Sequence, residues 1–133
     1  MEFIFFSYKV AIKMESLMSV LDFIHNFQLN DAPSNAVEKC KLSLLYLIGV
    51  VSAGRDTKLS AIICNHASEE FAGRIPMLFC QEKASAQGVA LAAGMTIDSV
   101  DAHDGFNPAK GHIGCPLFPA VLAISLEQDI SGM

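Results

Sequence analysis

ASAQGVALAAGMTIDSV, residues 84–100, decides how this chain folds. Ala86, Ala90 and Gly94 recur every four residues, and so do Ala84, Gly88 and Ala92. That period belongs to an α-helix carrying two rows of small side chains. Glycine inside a soluble helix costs about 1 kcal/mol relative to alanine. Two glycines in one helix therefore point to neighbours that pack close enough to repay the loss. The first row continues to Asp98 and, if the helix lasts that far, to Asp101, so the tightly packed face is expected to deliver carboxylates at its end.

Working outward, the remaining segments also read as helices. MSVLDFIHNFQL, residues 18–29, places Val20, Leu21, Ile24 and Phe27 on one face together with Leu17, and NDAP breaks it. Pro33 suits the first turn of a helix over about 33–53. That helix ends in LSLLYLIGVV, apolar all round and so expected at the centre of the core, with Gly54 as its stop. Asp56 or Thr57 can cap a helix over 57–72, with Leu59, Ile62, Ile63 and Ala67 as its apolar face. RIPMLFCQEK, residues 74–83, suits a short strand or an extended loop. A last helix starts near Pro116–Pro119, runs through AVLAISLEQ and stops at Ser131–Gly132. The expected fold is all-α, about five helices with one short extended segment. His25 and His66 lie beside apolar helical positions and read as ordinary boundary residues.

Composition sets bounds on the function. Apolar residues are 52% of the 133 and charged residues 17%, against about 45–50% and about 25% in an average globular chain. The net charge is -5, the nine Lys and Arg are scattered, and there is no Trp. Nucleic acid is therefore not the expected partner. The run Leu44–Val51 is far short of the roughly 20 residues of a membrane span. MEFIFFSYKVAIK lacks the basic start of a signal peptide, and residues 1–17 are expected to be an extension outside a domain of 18–133. Cys40, Cys64, Cys80 and Cys115 form no CxxC pair and read as separate reduced thiols of a cytoplasmic protein.

The chemistry concentrates in DSVDAHDGFNPAKGHIG, residues 98–114. Asp98, Asp101 and Asp104 are possible bases or ligands, and the imidazoles of His103 and His112 can move protons either way. Lys110 can hold a substrate carboxylate or stabilise an enolate, while Gly105, Gly111 and Gly114 permit tight turns and close backbone approach. Proton abstraction next to a carboxylate needs this mix: a base, an acid and positive charge for the developing anion. The bland alternative is a solvated loop.

The segment ASAQGVALAAGMTIDSVDAHDGFNPAKGHIGCPLFPAVLAI resembles the MmgE/PrpD family, which includes 2-methylcitrate dehydratase, cis-aconitate decarboxylase and iminodisuccinate epimerase. The family pattern is a small-residue helix, then H-x-L-D-x-D-D, a variable turn, H-P, and a helix beginning P-A-x-L-A. Here it reads IDSVDAHD, GFNPAKG, HIG and PAVLA, and APSNAVEKCKLSLLYLIGVVSAG resembles the family's second helix. The likeness covers about residues 18–133. The chain departs from the pattern at Asp98 (where the pattern has His), at His103 (where it has Asp), and at Ile113 (where it has Pro).

The resemblance implies part of the family's large helical domain, with Asp101 and His112 as catalytic residues. Lys110, Asp104 and His103 are then expected at the substrate, with His103 and Asp104 ordering the loop or binding the substrate's polar groups. It implies a metal-independent lyase or isomerase without a cofactor, acting on a di- or tricarboxylic acid as a homodimer. It also implies that this chain is an N-terminal piece, since further catalytic Lys and His residues and a lid domain come later in family members. Two other readings stay open: a remnant that only packs or dimerises, and a metal-dependent HD-type hydrolase using His103–Asp104 with His66.

Overall fold

The computed structural model describes residues 19–103, 105–128 and 130. The proposed extension 1–17, Asp104 and the stop at Ser131–Gly132 lie outside the described residues. Two compact units divide the chain at Ala36–Val37. The first contains helix α1 (residues 19–26) and a 3-10 turn, Leu29–Asp31. The ring of Phe23 in α1 meets that of Phe27, just past the helix end, tilted with centroids 4.6 Å apart. The turn at NDAP is closed by the Asp31 carboxylate, which accepts from the Gln28 backbone N–H at 3.0 Å.

The helices follow the sequence reading closely. Helix α2 spans Ser34–Gly54, α3 spans Lys58–Glu70, α4 spans Ala86–Asp98 and α5 spans Gly114–Gln128. Thr57 caps α3, its hydroxyl accepting from the Ser60 N–H at 3.2 Å, and Ser85 caps α4 in the same way through Gly88. The all-helical expectation holds, with two small additions. Strands β1 (Ile75–Pro76) and β2 (Lys83–Ala84) pair antiparallel, as do β3 (Gly105–Phe106) and β4 (Gly111–His112).

Within the second unit the centre is α4, not the end of α2. Val89, Ala92, Ala93 and Ile97 of α4 are buried, and one cluster joins α4 to Cys64 and Ala67 of α3, Ile75 and Ala84 of the first hairpin, and Ala123 of α5. A second cluster joins Ile97 to Leu47, Val50 and Val51 of α2. The rest of the apolar run on α2, including Leu45, Tyr46 and Ile48, is exposed. The small side chains of α4 explain the difference, because they let two helices close on it. A Cβ on Gly88 would lie 2.7 Å from the Ala84 Cβ and 2.8 Å from the Phe71 Cβ, and one on Gly94 would lie 3.1 Å from the Cys115 carbonyl. Pro119, inside α5, has no N–H for that Cys115 carbonyl four residues back, and the bare Gly94 gives the carbonyl room.

Helix α3 turns inward a stripe shifted from the expected face: Ala67 is buried as expected and Leu59 and Ile63 are half-buried. Ser60, Cys64 and Ala67 are buried while Ile62 is exposed. Close approach of α3 and α4 favours small residues at the seam. The buried hydroxyls placed there satisfy each other: Ser60 Oγ donates to Thr96 Oγ1 at 2.6 Å. The cysteines also depart from the expectation of four separate thiols. Cys64 on α3 and Cys80 in the β1–β2 loop are paired, with Cα atoms 7.0 Å apart, and Cys40 and Cys115 are free. A separation of 16 residues hides this contact from spacing rules, because it forms only when the loop folds back on α3. No helix among the described residues is long and apolar enough to cross a membrane.

Candidate functional site

The site begins where α4 ends. Its last residue is Asp98, and Ser99 closes the helix with its N–H on the Met95 carbonyl and its hydroxyl on the Thr96 carbonyl. Asp101 is therefore not the next step of the small-residue row. It lies past the helix in a turn, with its N–H on the Asp98 carbonyl at 3.0 Å. Its φ of 53° is left-handed, a region that Asp tolerates better than most residues. Its carboxylate is 95% exposed, so helix packing does not hold it.

What holds it is His103. This imidazole is 7% exposed, and its Nε2 lies 2.9 Å from Asp101 Oδ1 and 3.4 Å from Asp98 Oδ1. Its Nδ1 is buried and has no hydrogen-bond partner among the described residues. The chain then forms the β3–β4 ladder, which pairs Gly105 with His112 and Phe106 with Gly111. The connection is a 3-10 turn, Asn107–Ala109, followed by Lys110 in the left-handed region at φ 52°. Its side chain is anchored by Nζ donating to Asn107 Oδ1 at 3.0 Å. The His112 ring meets the His103 ring edge to face, centroids 3.9 Å apart.

Thus the fold brings Asp101, His103 and His112 into one chain of contacts. Lys110 and His112, with Phe106 and Asn107, line a groove of about 400 Å³ on the hairpin. The histidine pair depends on Gly105, whose missing Cβ leaves room for the His112 ring. The other expectation for the glycines does not hold. No described glycine has positive φ, and Asp101 and Lys110 take the left-handed positions instead. Backbone strain of this kind tends to gather at functional sites.

Asp98, one of the possible bases or ligands in the sequence, is given no place by the family resemblance, yet the structure sets it beside His103. The signal was its place at the head of the pattern quoted above. Behind the site, Cys115 Sγ donates to the His112 carbonyl at 3.4 Å. Burial pushes the Cys115 thiol above its ordinary range, and the nearby Asp98 carboxylate adds to the rise. What His112 offers α5 is this carbonyl; its ring contacts His103. Among the described residues no three His, Cys, Asp or Glu side chains are grouped to hold a metal ion. His66 is exposed on α3, with its ring 6.0 Å from Phe71.

A family model for the MmgE/PrpD N-terminal domain matches residues 19–132. The chain belongs to the MmgE/PrpD family. The match takes in all four helices α2 to α5 and the whole of the site. No curated protein and no solved structure matches the chain. The mostly helical architecture, with strands among the described residues only as two-residue pairs, accords with an MmgE/PrpD N-terminal domain.

Proposed function

We propose that this MmgE/PrpD domain carries part of the acid–base site of a metal-independent lyase or isomerase. The reaction moves a proton next to a carboxylate of a di- or tricarboxylic acid. The observation that carries the reading is the contact chain Asp101–His103–His112 beside the groove that holds Lys110. Asp101 is exposed and so available as a base, and the imidazole of His112 can return the proton. Lys110 faces the same groove and supplies the positive charge for a substrate carboxylate or an enolate. His103 is too buried to meet a substrate directly, and its geometry favours ordering the loop. The family's further catalytic segments complete the site.

Titration of the isotope-labelled chain with citrate and with cis-aconitate tests this reading. Backbone resonances of Phe106–His112 are expected to shift at millimolar ligand, and Lys110→Met to weaken the effect. If neither tricarboxylate moves these resonances, the reading fails. The exposed apolar residues of α2 and α5 favour a second reading, a domain that only packs or dimerises. In that case the tricarboxylates leave the hairpin unchanged while the chain still self-associates.

A further inference from the structure

We infer that Asp98 and His103 are an exchanged carboxylate–imidazole pair whose task is to position Asp101. The inference rests on the acid–base reading above and names the residues that hold its base in place. Asp101 needs such support. It lies beyond the end of α4, its carboxylate is 95% exposed, and its backbone is left-handed. The side-chain contact that fixes it is His103 Nε2 at 2.9 Å.

His103 is suited to this work and not to direct catalysis. It is 7% exposed, with Nε2 turned to Asp101 and Asp98 together. Buried polar groups rarely go unpaired, yet Nδ1 has no hydrogen-bond partner among the described residues. The tautomer with its hydrogen on Nε2 leaves Nδ1 as a bare acceptor and gives Asp101 a donor. The other face of this arrangement is His112, whose ring stands 3.9 Å from that of His103.

Two departures from the family pattern meet at this contact. The pattern has imidazole at the position of Asp98 and carboxylate at the position of His103. The chain has the reverse, and the two side chains lie 3.4 Å apart. Taken singly, each change would put like groups together or leave a buried charge without its partner, which costs far more than an exposed one. Made together, they keep one carboxylate and one imidazole in contact. The exchange places the imidazole on the buried side, next to Asp101 and His112.

The test is a cycle in the full 133-residue chain: Asp98→His, His103→Asp and the two together, read by thermal melting and by the backbone carbon shifts of Asp101. Each single change is expected to lower Tm by about 3–6 °C and to move the Asp101 shifts away from left-handed values. The double exchange is expected to recover most of the Tm, since one carboxylate and one imidazole again meet, but not the Asp101 shifts, because residue 103 no longer donates to Asp101. His103→Gln, which keeps a donor near the Nε2 position, is expected to hold the Asp101 shifts better than His103→Leu. A double exchange that melts no higher than His103→Asp alone, or one that fails to fold beside folded single variants, overturns the proposal. So does a His103→Leu chain with unchanged Asp101 shifts. None of these readouts uses a substrate, so their failure is distinct from a failure of the tricarboxylate titration.

Discussion

Gly105 faces His112 across the β3–β4 ladder so closely that a Cβ on it would lie 2.9 Å from the imidazole Nδ1. The glycine is there for space, since its φ is not in the left-handed region. Gly105→Ala is therefore expected to swing the His112 ring and cost stability by no more than about 1 kcal/mol, as small overpacking at a movable side chain does. The check is the His112 ring resonances beside a urea melt. Unmoved resonances would show that the ring is held by something other than this gap.

The exposed base and the histidine differ in what their removal should do. In an enzyme that joins this segment to the family's remaining domains, His112→Ala and Asp101→Asn are each expected to lower kcat by at least about a hundredfold with Tm nearly kept. Asn is the apt replacement at position 101 because it tolerates positive φ. Near-normal kcat in both variants would remove Asp101 and His112 from the mechanism.

Two glycines of α2 should respond to alanine with opposite signs. A Cβ on Gly49 meets nothing within 4 Å, so Gly49→Ala is expected to stabilise by about 0.5–1 kcal/mol through helix propensity. A Cβ on Gly54 would fall on the Thr96 carbonyl oxygen and lie 2.9 Å from Ser99 Oγ. Gly54→Ala is expected to destabilise by about 1–3 kcal/mol, because backbone cannot move aside cheaply. Urea denaturation of both variants decides this, and equal effects would refute the close α2–α4 contact.

Cys115 is expected to react slowly with iodoacetamide at neutral pH. Its thiol is pushed up by burial and by Asp98, so less of it is thiolate than in a free peptide. Asp98→Asn removes the second cause and should speed alkylation. The linkage has one sign: the folded state holds this proton more tightly than the unfolded state. The stability it contributes is therefore present below the ordinary thiol range and lost as pH rises above it. Alkylation at the rate of a reduced control peptide would contradict the burial of this sulfur.

Leu42, Leu45 and Ile48 of α2 and Leu117, Val121 and Ile124 of α5 are exposed. Exposed apolar surface of this extent drives association. The chain is expected to elute from size exclusion as a dimer or larger at micromolar concentration, and Leu45→Glu or Val121→Glu to shift it toward monomer. A sharp monomer peak for the unaltered chain would count against this.

Much of the molecule follows from the sequence alone, because helices declare themselves through local periods and caps. The two rows of small residues marked α4 as close-packed, Thr57 marked the start of α3, and the 98–114 stretch, read against the family pattern, held the groups that come together. Other features belong to the tertiary structure. Leu44–Val51 is apolar all round, but whether such a segment is central depends on which neighbours can reach it, and the small side chains of α4 admit α3 and α5 more closely. The inward stripe of α3 runs through Ser60 because a hydroxyl partner, Thr96, waits on the facing helix. Cys64 meets Cys80 only after the first hairpin folds back. The ordering of Asp101 by a buried His103 arises from a turn that leaves the helix at Asp98 and brings back an imidazole from beyond it. Periodicity carries no information about such contacts, because they depend on the path of the chain and not on its local rhythm.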